Sequence, residues 1–138
     1  MRVRHTGIVV TDMTKAVRFY RDLLELRLVY WQTESGEQLD DALGHRGARI
    51  EVVKLEDSEG GIIELLNWEF PRGRKRSNKI NDFGITHVAF TVSNLDTFYE
   101  ETKEEVLYNC VPQTFPNGFK MVFCQDPDGN HIELVQAP

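Results

Sequence analysis

The feature that most constrains this chain is a repeat. Residues 5 to 17, HTGIVVTDMTKAV, lie over residues 87 to 99, HVAFTVSNLDTFY, so His5 falls on His87. A second match closes each half: GGIIELL at 60 to 66 lies over GNHIELV at 129 to 135, which sets Glu64 on Glu133. The first half is 13 residues longer, since His5 to Glu64 spans 59 positions and His87 to Glu133 spans 46. The polar, weakly helical stretch from Glu37 to His45 is the expected insertion, as a loop or short helix between strands.

Both halves carry the same order of signals. An alternating β-rich run (Val3 to Val10; Ile85 to Val92) precedes an amphipathic helix. Asp12 or Thr14 is placed to cap the first helix, and Asn94 or Asp96 the second. Ala16, Val17, Tyr20, Leu23 and Leu24 form one apolar stripe, and Leu95, Phe98, Tyr99, Thr102 and Val106 the other, with Phe19 and Tyr20 read as packing residues. Three strands are expected after each helix: Leu26 to Thr33, Ala48 to Leu55 and Gly61 to Asn67, then Cys110 to Phe115, Phe119 to Gln125 and Asn130 to Gln136. Turns are marked at PNG (116 to 118) and DPDG (126 to 129).

The unit reads βαβββ, twice. Module 1 covers about residues 1–70 and module 2 about 83–138; the polar segment Pro71 to Asp82, with no hydrophobic period, links them. At 138 residues with 41% hydrophobic content, the pair is expected to form one α+β domain over residues 1–138.

In a strand, side chains alternate, so His5, Gly7 and Val9 share one face while Thr6, Ile8 and Val10 share the face the helix covers. His87, Ala89 and Thr91 stand in the same relation to Val88, Phe90 and Val92. Each histidine is followed two residues on by a small residue that leaves room before the sheet. Glu64 and Glu133 each interrupt an aliphatic run, where a carboxylate is costly unless it is paired, protonated or bound to a cation. Two such carboxylates, related by the repeat that relates two histidines, point to one shared divalent ion held by His5, Glu64, His87 and Glu133. An N₂O₂ set suits Zn²⁺, Ni²⁺, Co²⁺, Mn²⁺ or Fe²⁺ and does not choose among them.

The net charge of −6 disfavours nucleic acid as a partner, and no apolar run approaches the roughly 20 residues of a membrane span. With Arg2 and Arg4 at the start in place of an apolar signal core, a cytoplasmic protein is expected. Cys110 and Cys124 form no CxxC and read as ordinary reduced thiols.

These residues resemble the vicinal oxygen chelate superfamily, which includes glyoxalase I, methylmalonyl-CoA epimerase, fosfomycin-resistance proteins and extradiol dioxygenases. The resemblance rests on HTGIVVTDMTKAVRFYRDLLEL, IIELLNW, GITHVAFTVSNLD and DPDGNHIEL and covers nearly the whole chain. It implies a glyoxalase-like fold, in which tandem βαβββ modules form a curled mixed sheet around the metal, and a small substrate chelated through neighbouring oxygens.

The four-ligand set is most like glyoxalase I, a lyase or isomerase that stabilises an enediolate by Lewis acidity and moves a proton with Glu133 or Glu64. Asn67 and Trp68, following Glu64, resemble residues that hold glutathione there. Where bacterial glyoxalase I proteins carry an Arg on the first strand, this chain has Val9, so an anion contact is sought instead among Arg72, Arg74, Lys75, Arg76 and Arg49. Trp31, Trp68, Phe115 and Phe119 are candidates for lining the substrate cavity, His131 for a position near the ligands, and His45 for solvent. The alternatives within the superfamily are an epimerase, a thiol transferase, an extradiol dioxygenase or a non-catalytic antibiotic-binding protein. Relatives join two modules of one chain or of two chains around each metal, and a homodimer is expected on either route.

Overall fold

A computed structural model of the chain describes residues 1–75 and 79–138. They fall into two compact units, Met1–Lys75 and Arg76–Pro138. The boundary lies inside the expected linker, whose residues 76–78 are outside the described residues.

In the first unit the elements run β1 (Thr6–Val9), α1 (Met13–Val17), β2 (Arg27–Ser35), α2 (Glu37–Leu43), β3 (Arg49–Glu56) and β4 (Ile62–Phe70). The sheet order is β1-β4-β3-β2, with β1 parallel to β4 and the other neighbours antiparallel. The expected insertion is α2, closed by Gly44 in the left-handed conformation at φ 67°. The second unit repeats the plan: β5 (His87–Thr91), α3 (Leu95–Thr102), β6 (Leu107–Tyr108), β7 (Gln113–Thr114), β8 (Lys120–Gln125) and β9 (His131–Gln136). Here β5 is parallel to β9, and β8 pairs antiparallel with β9, β6 and β7. The α+β, twice-repeated module read from the sequence is the architecture observed, as two mixed sheets that remain open.

Helices α1 and α3 each start where a polar side chain takes up a free backbone N–H. Asp12 Oδ1 accepts from Lys15 N at 3.0 Å, and Asn94 Oδ1 from Thr97 N at 3.1 Å, which decides both caps. Gln136 Oε1 further accepts from Leu95 N at 2.8 Å, tying α3 to β9.

The cores follow the alternation. Ile8 and Val10 are buried with Val53, Leu55, Ile63 and Leu65 against Ala16, Val17 and Tyr20; Leu95, Ile132 and Leu134 are fully buried in the second unit. Each large aliphatic side chain removed from water in this way contributes about 1.5–3 kcal/mol.

Two expectations are corrected. The first helix continues as a π-helical stretch, Arg18–Leu23. Its wider turn brings Phe19 into the core beside Tyr20, and leaves Leu23 and Leu24 half-buried. Of the strand expected over Cys110 to Phe115 only Gln113–Thr114 forms (β7), and a separate short strand, β6, precedes it at Leu107–Tyr108. Tyr108 pairs with Cys124 and Gln113 with Met121, so four residues (109–112) on one side face two (122–123) on the other, and the chain bulges there. Pro112, with no N–H to give a ladder, sits in that bulge.

The two hairpins that deliver the glutamates share one device. Asp57 Oδ1 accepts from Glu59 N and Gly61 N, both at 2.8 Å; Asp126 Oδ1 accepts from Asp128 N at 2.9 Å and Asn130 N at 2.8 Å. Gly60 and Gly129 follow at φ 88° and 83°, a conformation only glycine adopts readily. Asp126 is buried and also accepts from Asn130 Nδ2, whereas Asp57 is exposed. Replacing Asp126 by Ala is therefore expected to cost about 2 kcal/mol and Asp57→Ala about 1, measured by denaturant unfolding.

Candidate metal centre

The parallel pairing of the first and last strand of each unit sets the site. In the first unit Gly7 lies beside Glu64, which directs the glutamate to the face away from α1. His5, two residues earlier, reaches the same carboxylate, with Nε2 at 3.2 Å from Glu64 Oε2. In the second unit Ala89 lies beside Glu133, and His87 Nε2 stands 3.3 Å from Glu133 Oε2. Gly7 and Ala89 carry little or no side chain, so nothing from the neighbouring strand blocks either carboxylate.

Two donors bound to one ion at about 2.0–2.2 Å, at roughly tetrahedral or octahedral angles, stand about 3.0–3.5 Å apart. Both pairs have that separation. The donor types, one imidazole nitrogen and one carboxylate oxygen in each pair, are also those a divalent transition metal takes. Each pair therefore has the donor types and the separation that a divalent ion takes. Among the described residues no group of three or more His, Cys, Asp or Glu gathers as a potential ion site.

Further contacts orient His87. Thr86 Oγ1 lies 2.9 Å from its Nδ1, and Phe123 sets a ring edge-on to it, centroids 5.2 Å apart. A partner on the distal nitrogen fixes which ring nitrogen faces the ligand position. His131 lies in register with His87 on the face of Glu133 and is buried, placing it next to the pair.

The two pairs differ in what lies one strand further on. Lys54 is in register with Glu64, its Nζ 3.1 Å from Oε1, while Phe123 is in register with Glu133. Sequence reasoning passed over Lys54; the alternation of Arg49 to Glu56, read against Glu64, was the signal that could have found it.

The remaining candidates divide. Trp68 is on the Glu64 face, and His45, exposed as expected, sets its ring edge against it at 5.4 Å. Asn67 is one residue away and so projects from the opposite face of β4 to Glu64. It donates to Glu51 Oε2 at 3.4 Å, and Trp31 Nε1 donates to Glu51 Oε1 at 2.8 Å. Strict alternation over residues 62–68 thus sets Asn67 and Glu64 on opposite faces of the strand.

Arg49 is engaged by Glu69. Arg72, Arg74 and Lys75 are exposed, and Arg76 lies outside the described residues. Phe115 and Phe119 sit half-exposed on the β7–β8 hairpin, where Phe115 N donates to Phe119 O at 2.8 Å. No helix among the described residues is long and apolar enough to cross a membrane.

Residues 2–134 match the Glyoxalase/Bleomycin resistance protein/Dioxygenase superfamily, and the chain belongs to it. A probable lactoylglutathione lyase of Synechocystis sp. is 30% identical, over 99% of this chain and 96% of its own. A 2-epi-5-epi-valiolone epimerase of Actinomyces sp. is 24% identical, over 99% of this chain and 79% of its own. The crystal structure of a glyoxalase family protein from Bacillus cereus matches the fold with a TM-score of 0.91 at 21% identity, covering 99% of this chain and 93% of that one.

Neither cysteine belongs to the His–Glu pairs. Cys124 is buried, and its thiol is pushed up to about 12 by loss of solvent, whereas Cys110 is exposed. Because only the thiolate reacts, a disulfide reagent at neutral pH is expected to titrate one thiol per native chain rapidly and the second only after unfolding.

Proposed function

We propose that the protein is a metal-dependent lyase or isomerase of glyoxalase I type, acting by proton transfer on a small substrate that chelates through vicinal oxygens. The observation that carries this reading is the duplicated His–Glu pair at 3.2 and 3.3 Å, a spacing suited to two ligands of one ion. His5, Glu64, His87 and Glu133 together would hold one divalent ion, the two modules coming from one chain or from two chains of a homodimer. Ni²⁺, Zn²⁺, Co²⁺, Mn²⁺ and Fe²⁺ are all compatible with this donor set.

Such an ion supplies Lewis acidity toward the oxygens of the bound substrate, which makes a proton on the adjacent carbon easier to remove. The protein's own groups do the rest. His5, just before β1, and His87, the first residue of β5, would be donors to the ion, His87 being further oriented by Thr86 and Phe123. Glu133, one oxygen facing His87 and its cross-strand neighbour apolar, takes the proton from carbon and returns it to the neighbouring carbon. Glu64 is the second carboxylate available for the same transfer. Trp68 lies on the face where substrate would bind, and the half-exposed Phe119 and the exposed Arg72 are outlying candidates for contact with it.

The epimerase relative supports a second reading, which shares the proton transfer and differs in returning the proton to the same carbon from the other side. Thiol transfer and extradiol dioxygenation are the further alternatives, and oxygen uptake by the Fe²⁺-loaded protein with a catechol would favour the latter.

The direct test is proton exchange. In D₂O, metal-loaded protein with the hemithioacetal of methylglyoxal and glutathione, or with a panel of hydroxyketones, is expected to exchange or shift the carbon-bound proton. Glu133→Gln is expected to lower that rate at least about a hundredfold while its circular dichroism and melting remain native. A folded Glu133→Gln protein with full rate would overturn the assignment.

A further inference from the structure

One row of the first sheet distinguishes the two modules. Reading across the four strands in register, the residues are Gly7 on β1, Glu64 on β4, Lys54 on β3 and Tyr30 on β2. In-register residues share a face, so this row lies on the side away from α1. The two oxygens of Glu64 are divided between its neighbours: Oε2 faces His5 at 3.2 Å and Oε1 receives Lys54 Nζ at 3.1 Å. Beyond Lys54, the Tyr30 ring lies 5.0 Å from the ammonium, and its hydroxyl donates to Glu34 Oε1 at 2.8 Å. In the second sheet the corresponding row is Ala89, Glu133 and Phe123, so the position that Lys54 takes beside Glu64 is held beside Glu133 by an apolar ring. Lys54 is therefore no part of the duplicated ligand pattern.

We propose that Lys54 is a specificity residue that receives an anionic group, a carboxylate or phosphate, of the substrate; the proposal rests on the metal-site reading above. The reason is charge. Lys54 and Glu64 are both sheltered, their side chains 28% and 13% exposed, and at rest each compensates the other. When Glu64 gives its charge to a divalent ion, Lys54 is left with an undercompensated ammonium next to that ion, which is unfavourable away from bulk water.

An anion on the substrate restores the balance. Its position is set as well, because Lys54 approaches Glu64 from the side opposite His5, so the anionic group lies a few bonds from the chelating oxygens, toward β3 and β2. Arg27, in register with Glu56 on this face, is already engaged by that carboxylate. Val9, on the His5 face of β1, brings no charge.

The substrate class that follows is a small, negatively charged oxygen chelator. The test uses pairs of probes that chelate alike and differ in charge: dihydroxyacetone phosphate against dihydroxyacetone, and 5-hydroxylevulinate against hydroxyacetone. Zn²⁺ retained after dialysis is counted first, then binding is measured by calorimetry on wild type, Lys54→Met and Lys54→Arg.

The wild type is expected to prefer at least one anionic probe by about tenfold or more, the scale of one charge-assisted hydrogen bond, and which pair shows it separates phosphate from carboxylate. Lys54→Met should lose that preference with its Zn²⁺ content retained, and Lys54→Arg should keep most of it. Equal preference in wild type and Lys54→Met, both carrying Zn²⁺, overturns the role of Lys54 alone. A wild type that retains no Zn²⁺ overturns the metal-site reading and this proposal with it.

Discussion

The parallel pairing of the first strand of each module with its last governs the rest of the structure. It sets Gly7 beside Glu64 and Ala89 beside Glu133, and so brings a histidine from one end of the module to a glutamate at the other. The carboxylates stand among aliphatic neighbours, where an ion pair or an ion must meet their charge. Everything else in each module serves that pairing. The helix caps fix where α1 and α3 begin, the aliphatic rows hold those helices against the sheet, and the Asp57 and Asp126 turns bring the last strand back in register.

Much of this was legible because the sequence says it twice. A single histidine near a strand end, or a single glutamate in an apolar run, reads as an ordinary satisfied polar residue. The repeat that aligns His5 with His87 and Glu64 with Glu133 converts four such residues into two copies of one device, and alternation then assigns their face. The same alternation, applied one residue further, separates Asn67 from Glu64, a consequence that resemblance to a motif had hidden.

What the sequence withheld depends on contacts between elements. The π-helical turn at Arg18–Leu23 needs the sheet beneath it to favour Phe19 over Leu23, and the bulge before Gln113 shows only in the pairing with β8. Lys54 belongs to the same class: a lysine in an alternating strand is unremarkable until the register of β3 on β4 sets it against Glu64. The duplication thus accounts for what the modules share, and the cross-strand neighbours, Lys54 in one and Phe123 in the other, for how they differ. Shared features suit the common chemistry of the superfamily, and the differing ones are where the proposal above places the selection of a particular substrate.

The proposal that His5, Glu64, His87 and Glu133 together hold one ion is most directly tested by X-ray absorption at the metal edge of Zn²⁺- or Ni²⁺-loaded protein. The account predicts one ion per chain with two imidazole nitrogens and two carboxylate oxygens, all at about 2.0–2.2 Å. A spectrum with one imidazole or none, or a protein that binds no ion, would contradict it.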